Sequence, residues 1–423
     1  MSQSTLIEMP YGDETIRFHV PSSRLMGVYA PHDMPPVDDI VAEVRRALAE
    51  PIGGPSLVDL ARGAGRVVLV ADDNTRPTPA HVIIPEMLNA LNKAGVSDAA
   101  VQILIALGTH RPMTAAEIEA KFGLEVMARV EIVNHDAFDP AVLLDLGTTP
   151  GGVSVQVNRA VMEADLVLGV GSIVPHHIPG YSGGAKIIQP GVCGETTTGQ
   201  VHLLSVRQGS LLGILENTVR AEMEAIADRA GLRAIVNTIL DRHGRMVGVV
   251  YGDPWQAFRQ GAALSRRVYG VEMPARADIV IAGSHPCDIE FWQAHKTLYA
   301  AERCVKEGGT IIVVTPCPEG VSVMHGEMVE FTARSVAEID AAVRSGEITD
   351  LTAGALAIAI AGARQHAPVS IVSDGICDAD ARGLGFTSFR SVDAALEDAL
   401  ARHGADATIA VLPYAPDTLP IVP

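Results

Sequence analysis

The sequence predicts an α/β protein with two α/β domains whose sheets are mostly parallel. Short apolar runs rich in Val and Ile recur along the chain, and stretches with helical periodicity separate them. Apolar runs without polar alternation are typical of strands buried on both faces of a parallel sheet, with helices as the crossovers. The 423 residues suffice for two or three domains of about 100–200 residues each.

The individual elements follow from these patterns. A hairpin is expected first, because residues 15–20 alternate apolar and polar side chains after a Tyr11-Gly12-Asp13 turn. The apolar runs that we predict to be strands are 67–70, 101–105, 166–170, 279–281, 311–314, 369–372 and 409–412. Helices are predicted over 79–94, 114–122, 218–229, 253–267 and 392–402, several of them after a Thr, Asp or Ser cap.

A domain boundary is predicted where Met273-Pro274-Ala275-Arg276 precedes a new strand. The N-terminal domain would span residues 1–273 and the C-terminal domain residues 274–423, with the active site in the cleft between them. The proline-rich tail is expected to be extended, with a return over the first domain as one option.

Charge and cysteine content exclude several classes of protein. The 50 acidic and 32 basic residues leave a net charge of −18, which would repel nucleic acid and anionic membranes. The five cysteines are scattered and odd in number, which argues against a disulfide framework. The longest apolar stretch, 353–363, is too short to span a bilayer, and the N-terminus lacks a signal-peptide pattern. We expect a cytoplasmic protein with neither nucleic-acid nor membrane partners.

Reactive and charged side chains follow four successive predicted strands. Ligands of open parallel sheets bind beyond the carboxyl ends of the strands. The residues found there are Asp72, Asp73, Arg76, His110, Arg111, His176, His177, Lys186, His285, Gln293, His295 and Lys296. A lone histidine after a strand is usually an ordinary loop residue, and we assign His285 and His295 that role. The recurrence nevertheless predicts a cleft that gathers bases, cations and a lysine.

The densest of these segments runs from Pro175 to Lys186 and holds three glycines, which allow a close approach of the backbone to an anion. The segment does not match GxxxxGK[ST], and the Gly169-Val170-Gly171 sequence lacks the third glycine of a dinucleotide fingerprint. A conventional NAD site is therefore not predicted. His202, in a predicted helix start, could be an isolated metal ligand.

Five motifs together resemble the lactate racemase family, in order and with matching spacing over nearly the whole chain. They are Asp73-x-Thr75-Arg76-Pro77, Gly108-Thr109-His110-Arg111-Pro112, His176-His177-x-x-Gly180-Tyr181-Ser182-Gly183-Gly184-x-Lys186, His202 and Gln293-x-x-Lys296. The resemblance implies a racemase or epimerase of 2-hydroxy acids that uses a nickel-pincer nucleotide.

The resemblance also assigns the cofactor residues. Lys186 would anchor nickel pyridinium-3,5-bisthiocarboxylic acid mononucleotide covalently, and His202 would be the protein ligand of nickel. One imidazole beside sulfur and carbon donors of the cofactor suits square-planar nickel. Asp73 would contact the cofactor, most simply at a ribose hydroxyl, with Asp72 as a competing candidate.

Two bases are needed because the enantiomers place their hydroxyl groups differently. The resemblance assigns them to His110 and His176, the latter in preference to His177 because it lies ten residues before the lysine. In the family mechanism, a histidine takes the hydroxyl proton while hydride moves to the cofactor, which gives a transient 2-keto acid.

The resemblance places the substrate carboxylate on Arg76, Gln293 and Lys296, with arginine able to bind it in bidentate geometry. Trp292 stands where lactate-specific members carry a tyrosine, so a different or wider range of 2-hydroxy acids is expected. The implied partners are the small 2-hydroxy acid and the proteins that synthesise the cofactor.

Two other functions stay open on the residues alone. Lys186 could form a Schiff base in a lyase or aldolase that acts on a keto acid. A non-catalytic protein could instead hold an anionic nucleotide in the glycine-rich segment, and the histidines would then be dispensable.

Overall fold

The computed structural model describes residues 3–206, 208 and 210–423, which form two compact units. The first unit comprises Asp33–Ser205 and Gly213–Val268. The second comprises the described residues of Met1–His32, Val206–Leu212 and Tyr269–Pro423. No helix in the described part of the chain combines the length and the apolar character needed to cross a membrane.

The strands, in chain order, are β1 Ser4–Tyr11, β2 Glu14–Pro21, β3 Leu25–Val28, β4 Val67–Asp72, β5 Val101–Ala106, β6 Glu131–Asn134, β7 Leu143–Thr148, β8 Ser154–Asn158, β9 Leu166–Ser172, β10 Pro175–His176, β11 Gly180–Tyr181, β12 Leu232–Leu240, β13 Met246–Gly252, β14 Gly270–Glu272, β15 Ala277–Gly283, β16 Val305–Val314, β17 Val369–Val372, β18 Thr387–Phe389, β19 Ile409–Leu412 and β20 Leu419–Ile421.

The helices are α1 Ile40–Ala49, α2 Leu57–Leu60, α3 Ala80–Lys93, α4 Ala115–Arg129, α5 Arg159–Met162, α6 Glu195–Val206, α7 Thr218–Arg229, α8 Gln256–Tyr269, α9 Phe291–Ala294, α10 Thr297–Cys304, α11 Val336–Ser345, α12 Leu351–His366, α13 Asp378–Gly383 and α14 Val392–His403. Short 3-10 turns occupy Asp98–Ala100, Pro140–Val142, Gly184–Ile187, Gly326–Glu330 and Ala415–Asp417.

The first unit is built on a six-stranded sheet with the order β13-β12-β9-β4-β5-β6. Its strands pair in parallel, except for the antiparallel pair of β12 and β13. The central strand β4 is buried along its whole length. Side chains of α3 and α4 pack on one face, and the opposite face contacts α7 and the turn Gly184–Ile187.

The second unit is built on a parallel six-stranded sheet with the order β18-β17-β16-β15-β19-β3. One face is covered by α14 and by the antiparallel hairpin of β1 and β2. Helices α10 and α12 also contact strands of this sheet, β15 and β16 for α10 and β16 for α12. The prediction of an α/β fold with mostly parallel sheets is confirmed.

Each predicted strand lies within an observed one, and the predicted hairpin strand is β2. The predicted helices are also present. Helix α4 runs past its predicted end at Phe122, but Gly123 interrupts it with a backbone φ of 76°, outside the helical region. The sequence pattern stopped where the regular helix does, because glycine adopts this φ without steric cost.

The predicted first domain is wrong for residues 1–32, whose described part belongs to the second unit. Strand β3 pairs with β19 from the far end of the chain, and Phe18 of β2 is buried in the core of the second sheet. The end of the tail belongs to the second unit, in which β20 pairs in parallel with β14.

Phe18→Ala should lower the local stability of the second unit by about 3–5 kcal/mol, since it empties a fully enclosed aromatic site. Phe122→Ala, in the core of the first unit, is the matched control. Amide hydrogen exchange should accelerate in β15 for the first variant and in β4 for the second. Faster amide exchange of β4 in Phe18→Ala would contradict the assignment of residues 1–32 to the second unit.

Candidate active site

Three neighbouring strands of the first unit end at one edge of its sheet. Strand β4 lies between β9 and β5, and both neighbours run parallel to it. The loops that follow these strands therefore start side by side, at the edge where open parallel sheets bind ligands. These loops carry the Asp73, His110 and His176 side chains, as the sequence predicts.

Asp73 and His110 form the closest pair at this edge, although each follows a different strand. The Nδ1 atom of His110 lies 2.6 Å from Oδ2 of Asp73, and the Thr75 hydroxyl donates to Oδ1 at 2.6 Å. Asp73 is only 3% exposed. Burial opposes its ionisation, but His110, Thr75 and Arg76 together lower the pKa of Asp73 below its ordinary value.

The carboxylate fixes the tautomer of His110. A carboxylate only accepts hydrogen bonds, so Nδ1 of His110 carries the hydrogen that points at Asp73. In the neutral ring the lone pair is then on Nε2. This is the arrangement that orients a histidine base in hydrolytic triads.

Asp72, the competing carboxylate, lies in a separate buried cluster. Its Oδ1 is 2.9 Å from Nζ of Lys121, and its Oδ2 accepts from the Thr78 hydroxyl at 2.5 Å. Burial raises the pKa of Asp72, and the positive charge of Lys121 opposes this shift. Lys121 also donates to the Arg76 carbonyl at 2.7 Å, so the cluster holds the backbone of the loop that carries Arg76.

Arg76 and Arg111 have different hydrogen-bond partners, although both precede a proline. The half-buried Arg76 guanidinium donates to the Thr75 carbonyl at 3.2 Å. Arg111 instead binds Glu117 through two hydrogen bonds of 2.9 and 2.8 Å. Glu117 is also part of the capping box that begins α4 with Thr114. Arg111 therefore stabilises the start of α4.

His176 lies in the two-residue strand β10, which pairs with β11. Its Nδ1 accepts a hydrogen bond from the Ile178 amide at 3.2 Å, and its ring stacks on His177 with centroids 4.6 Å apart. Because Nδ1 accepts, the neutral ring carries its hydrogen on Nε2. His176 and His110 are thus held in opposite tautomers.

Lys186 is half-buried on the 3-10 turn Gly184–Ile187, which packs against the sheet at β9 and β12. The turn begins where the Gly184 amide donates to Oδ1 of Asn237 on β12 at 2.9 Å. After the turn, the carbonyl of Gly191 accepts from the Gly108 amide at 2.9 Å. This bond joins the lysine segment to the loop that carries His110.

His202 lies in helix α6 and is half-buried. Its Nδ1 is 2.7 Å from the carbonyl oxygen of Thr198, which can only accept, so Nδ1 carries the hydrogen. The lone pair of the neutral ring is then on Nε2. Histidines that ligate metals usually donate their other ring N–H to such an acceptor, so this geometry fits a metal ligand.

Several buried polar groups near these segments fit a polar ligand. In the part of the chain that the structure describes, the side-chain oxygens of Ser172 and Thr198 and the whole amide of Gln189 lack hydrogen-bond partners. All three residues are at most 3% exposed. Unsatisfied buried polar atoms are costly, and a ligand with many acceptors and donors, such as a nucleotide, would satisfy them.

The second unit holds the remaining predicted site residues. Gln293 is buried in α9, and its Oε1 accepts a hydrogen bond from Nζ of Lys296. The same Nζ lies 4.0 Å from Sγ of Cys287. These contacts place an amide and an ammonium group side by side in the second unit.

Trp292 stacks on His325, with ring centroids 3.9 Å apart and an angle of 19° between the planes. Nδ1 of His325 is 2.5 Å from Asp350, whose other oxygen caps α12. Glu327 completes a group whose possible ligand atoms lie within 4.8 Å of one another. Burial and the nearby Asp350 raise the pKa of Glu327. The cluster holds the Trp292 indole against a buried imidazole.

Sequence reasoning assigned no role to four side chains that contact the predicted residues or their loops: Thr75, Lys121, Arg220 and His325. Thr75 was within reach, since it lies two residues after Asp73 in a turn where such hydroxyls bond carboxylates. The other three contact residues more than 30 positions away along the chain, and no local pattern marks them.

Models of known families match both parts of the chain. The lactate racemase N-terminal domain matches residues 11–213, and the lactate racemase C-terminal domain matches residues 272–419. The lactate racemase of Lactiplantibacillus plantarum is 30% identical over 422 residues, covering 96% of this chain and 97% of the relative. That of Thermoanaerobacterium thermosaccharolyticum is 33% identical over 321 residues, 74% of this chain and 75% of the relative.

Solved structures resemble the whole chain. The lactate racemase apoprotein from Thermoanaerobacterium thermosaccharolyticum superposes with a TM-score of 0.89 at 28% identity, covering 99% of this chain and 100% of that one. A crystal structure of a protein from Thermotoga maritima gives a TM-score of 0.75 at 19% identity, over 92% and 100% of the two chains. The second likeness concerns the fold alone.

Glu117→Gln should destabilise the start of α4 in a pH-dependent way. Hydrogen bonds from Arg111 lower the pKa of Glu117 to about 2, so its contribution is complete above the unfolded pKa of about 4.3 and is lost as the pH falls towards the folded value. The difference in amide exchange of α4 between wild type and variant should be largest near pH 6 and shrink towards about pH 3.

Glu125→Gln, at an exposed position of the same helix, is the matched control and should change local stability by less than about 0.5 kcal/mol. A difference for Glu117→Gln that grows on acidification would contradict the assignment of Arg111 to Glu117.

Proposed function

The chain belongs to the lactate racemase family, and we propose that this isomerase interconverts the enantiomers, or C2 epimers, of a lactate-like 2-hydroxy acid. The observation that supports this proposal best is the pair of strand-end histidines in opposite tautomers. His110 donates from Nδ1 to Asp73, whereas His176 accepts an N–H bond at Nδ1. A reaction that removes a hydroxyl proton from one enantiomer and returns it to the other requires two such groups.

His110 is proposed to take the hydroxyl proton at Nε2. The imidazolium that forms would be stabilised by the Asp73 carboxylate, which stays ionised because its pKa is lowered. His176 in its observed tautomer presents Nε2–H, which would bind the substrate oxygen. For His176 to accept a proton at Nε2, its Nδ1 must gain the hydrogen and give up the bond from Ile178.

The cofactor proposed for this chain is the nickel-pincer nucleotide, attached through Lys186. When bound, it would accept the substrate's hydride and return it. His202 would ligate nickel through Nε2, which its bond to Thr198 leaves with the lone pair. Asp73 stays a candidate for the ribose contact, with both of its oxygens also accepting bonds from protein groups.

The substrate carboxylate is proposed to bind Arg76, Gln293 and Lys296. Arg76 offers a planar donor pair, and the Lys296 ammonium is already held by the Gln293 amide oxygen. A protein with a net charge of −18 needs such local cations to bind an anionic substrate.

Trp292 is proposed to limit the size and shape of the substrate side chain. The indole is only 7% exposed and is stacked on His325, so it cannot swing aside freely. It also lacks the hydroxyl of the tyrosine found in lactate-specific members. We therefore propose that 2-hydroxy acids other than lactate are among the substrates.

A cytoplasmic location and dependence on cofactor-synthesising proteins complete the proposal. All five cysteines are free thiols, four of them buried, which suits a reducing compartment.

Protein coexpressed with the cofactor-synthesising machinery should carry a covalent adduct and one nickel per chain, measured by intact mass and elemental analysis. Lys186→Arg should lose both, because its guanidinium keeps the positive charge but cannot form the link. His202→Gln should keep the adduct and lose nickel. His110→Gln and His176→Gln should keep both and lose racemisation by about 10²–10⁴-fold.

A wild-type chain without adduct, beside a family member that is loaded in the same cells, would overturn the cofactor assignment. Trapping of Lys186 by borohydride with a keto acid would then favour the Schiff-base lyase. Nucleotide binding that survives loss of both histidines, with no turnover of any hydroxy acid, would favour the binding protein.

Trp292→Tyr should shift the ratio of kcat/KM towards lactate by about tenfold relative to a bulkier 2-hydroxy acid, because it removes bulk and restores a hydroxyl. Trp255→Tyr is the matched control, since the chain has two tryptophans and Trp255 lies in the first unit beside the start of α8. An equal ratio in wild type and Trp292→Tyr would show that Trp292 does not select the substrate.

A further inference from the structure

Arg220 is the largest fully buried side chain of the described residues, at 1% exposure. It lies in the first turn of α7, whose cap is Asn217. Burying a guanidinium is costly unless its donors are satisfied. The hydrogen bonds of this guanidinium therefore offset the cost of its burial.

The guanidinium donates to three backbone carbonyls of one short segment. Its Nε bonds the carbonyl of Pro179 at 3.3 Å, its Nη1 that of Gly183 at 3.1 Å, and its Nη2 that of Tyr181. Its Cζ also lies 4.1 Å from the ring centroid of Phe258, within cation–π range. Arginine alone among side chains offers enough donors in one plane for these contacts.

The segment that Arg220 binds lies between the proposed base and the proposed anchor. Gly180, flanked by two of the bonded carbonyls, pairs with His176 in the β10–β11 ladder. The third carbonyl, that of Gly183, also accepts from the Lys186 amide at 3.2 Å. Arg220 is thus linked to His176 through the pairing of Gly180 with His176. It is linked to Lys186 through the Gly183 carbonyl, which both residues bond.

The segment lacks a side chain at Gly180, where the backbone approaches another loop closely. Gly180 has a φ of 82°, and a Cβ atom there would lie 1.9 Å from the carbonyl oxygen of Ile214. Ser182 adds fixed bonds to Ser172 and Val174 at the other side of the loop. Arg220 adds three hydrogen bonds to carbonyls of this segment, beside those that Ser182 and the β10–β11 pairing supply.

Among the described residues, no carboxylate forms an ion pair with Arg220. The neighbouring Glu216 and Glu224 bond to Arg259, at 2.8 and 3.3 Å. Burial lowers the pKa of Arg220 to about 9, against the attraction of Glu224. The positive charge of Arg220 is therefore stabilised by the dipoles of the three carbonyls that it bonds.

We propose that Arg220 is a positioning residue that holds the 179–183 backbone so that His176 and Lys186 are set for reaction, an inference that rests on the function proposed above. Removal of Arg220 would free three carbonyls and loosen both ends of the loop.

The test compares Arg220→Met, Arg220→Lys and the matched control Arg259→Met, each with thermal unfolding as a check on folding. Amide exchange of residues 175–187 in the protein without cofactor should accelerate by at least about tenfold in Arg220→Met. Arg220→Lys should fall between this variant and wild type, since an ammonium can bond fewer of the carbonyls. Arg259→Met should leave exchange in the loop unchanged.

In coexpressed protein, the rate of adduct formation at Lys186 and kcat per loaded chain should fall in the order wild type, Arg220→Lys, Arg220→Met. KM should change less than kcat. If Arg220→Met does not fold, Arg220→Lys alone decides, by the same readouts. Wild-type exchange and loading in a folded Arg220 variant would overturn the inference.

The proposed function and this inference fail separately. Absence of an adduct in wild type would overturn the cofactor assignment, while loop exchange in the unloaded variants still supports or overturns the positioning by Arg220. If wild type is loaded normally, and Arg220→Lys is less stable but is loaded as fully as wild type, the inference alone would be overturned.

Discussion

Parallel pairing of β9, β4 and β5 is the constraint on which the site depends. Neighbouring strands of a sheet are about 4.8 Å apart, so loops that leave the same edge begin almost in contact. Asp73 and His110 consequently meet at 2.6 Å although they are 37 residues apart in the chain. The Gly108 amide also donates to the carbonyl of Gly191, which follows the turn Gly184–Ile187 that carries Lys186. Fixed strand ends leave these loops little freedom to move independently.

Buried charges tie each loop to its neighbours. Asp73 is compensated by His110, Asp72 by Lys121, and Arg220 by backbone carbonyls. A buried charge that lost its partner would cost several kcal/mol, so these contacts favour the observed arrangement of the loops. Preorganisation of this kind is what proton transfer requires, since an ångström of misplacement greatly slows the reaction.

Prediction from sequence succeeded where one local property decides the outcome. Continuous apolar runs gave the strands, because a strand buried on both faces tolerates no polar alternation. Asp73, His110 and His176 follow the ends of neighbouring strands as predicted, because the strands themselves were recognisable from their apolar runs. The grouping of residues 1–32 was wrong, because β3 joins β19 and the two are nearly 400 residues apart. No local pattern records which distant edge a strand will pair with.

The sequence by itself determined the α/β class, the strand-end positions of the reactive residues and the family to which they point. Tertiary structure decided the chemical state of those residues. The tautomer of His110 depends on Asp73, and that of His176 depends on the Ile178 amide. The ion pair of Arg111 with Glu117 depends on where α4 begins. Hydrogen bonds are directional and short-ranged, so they become defined only when folding has set the positions of both partners.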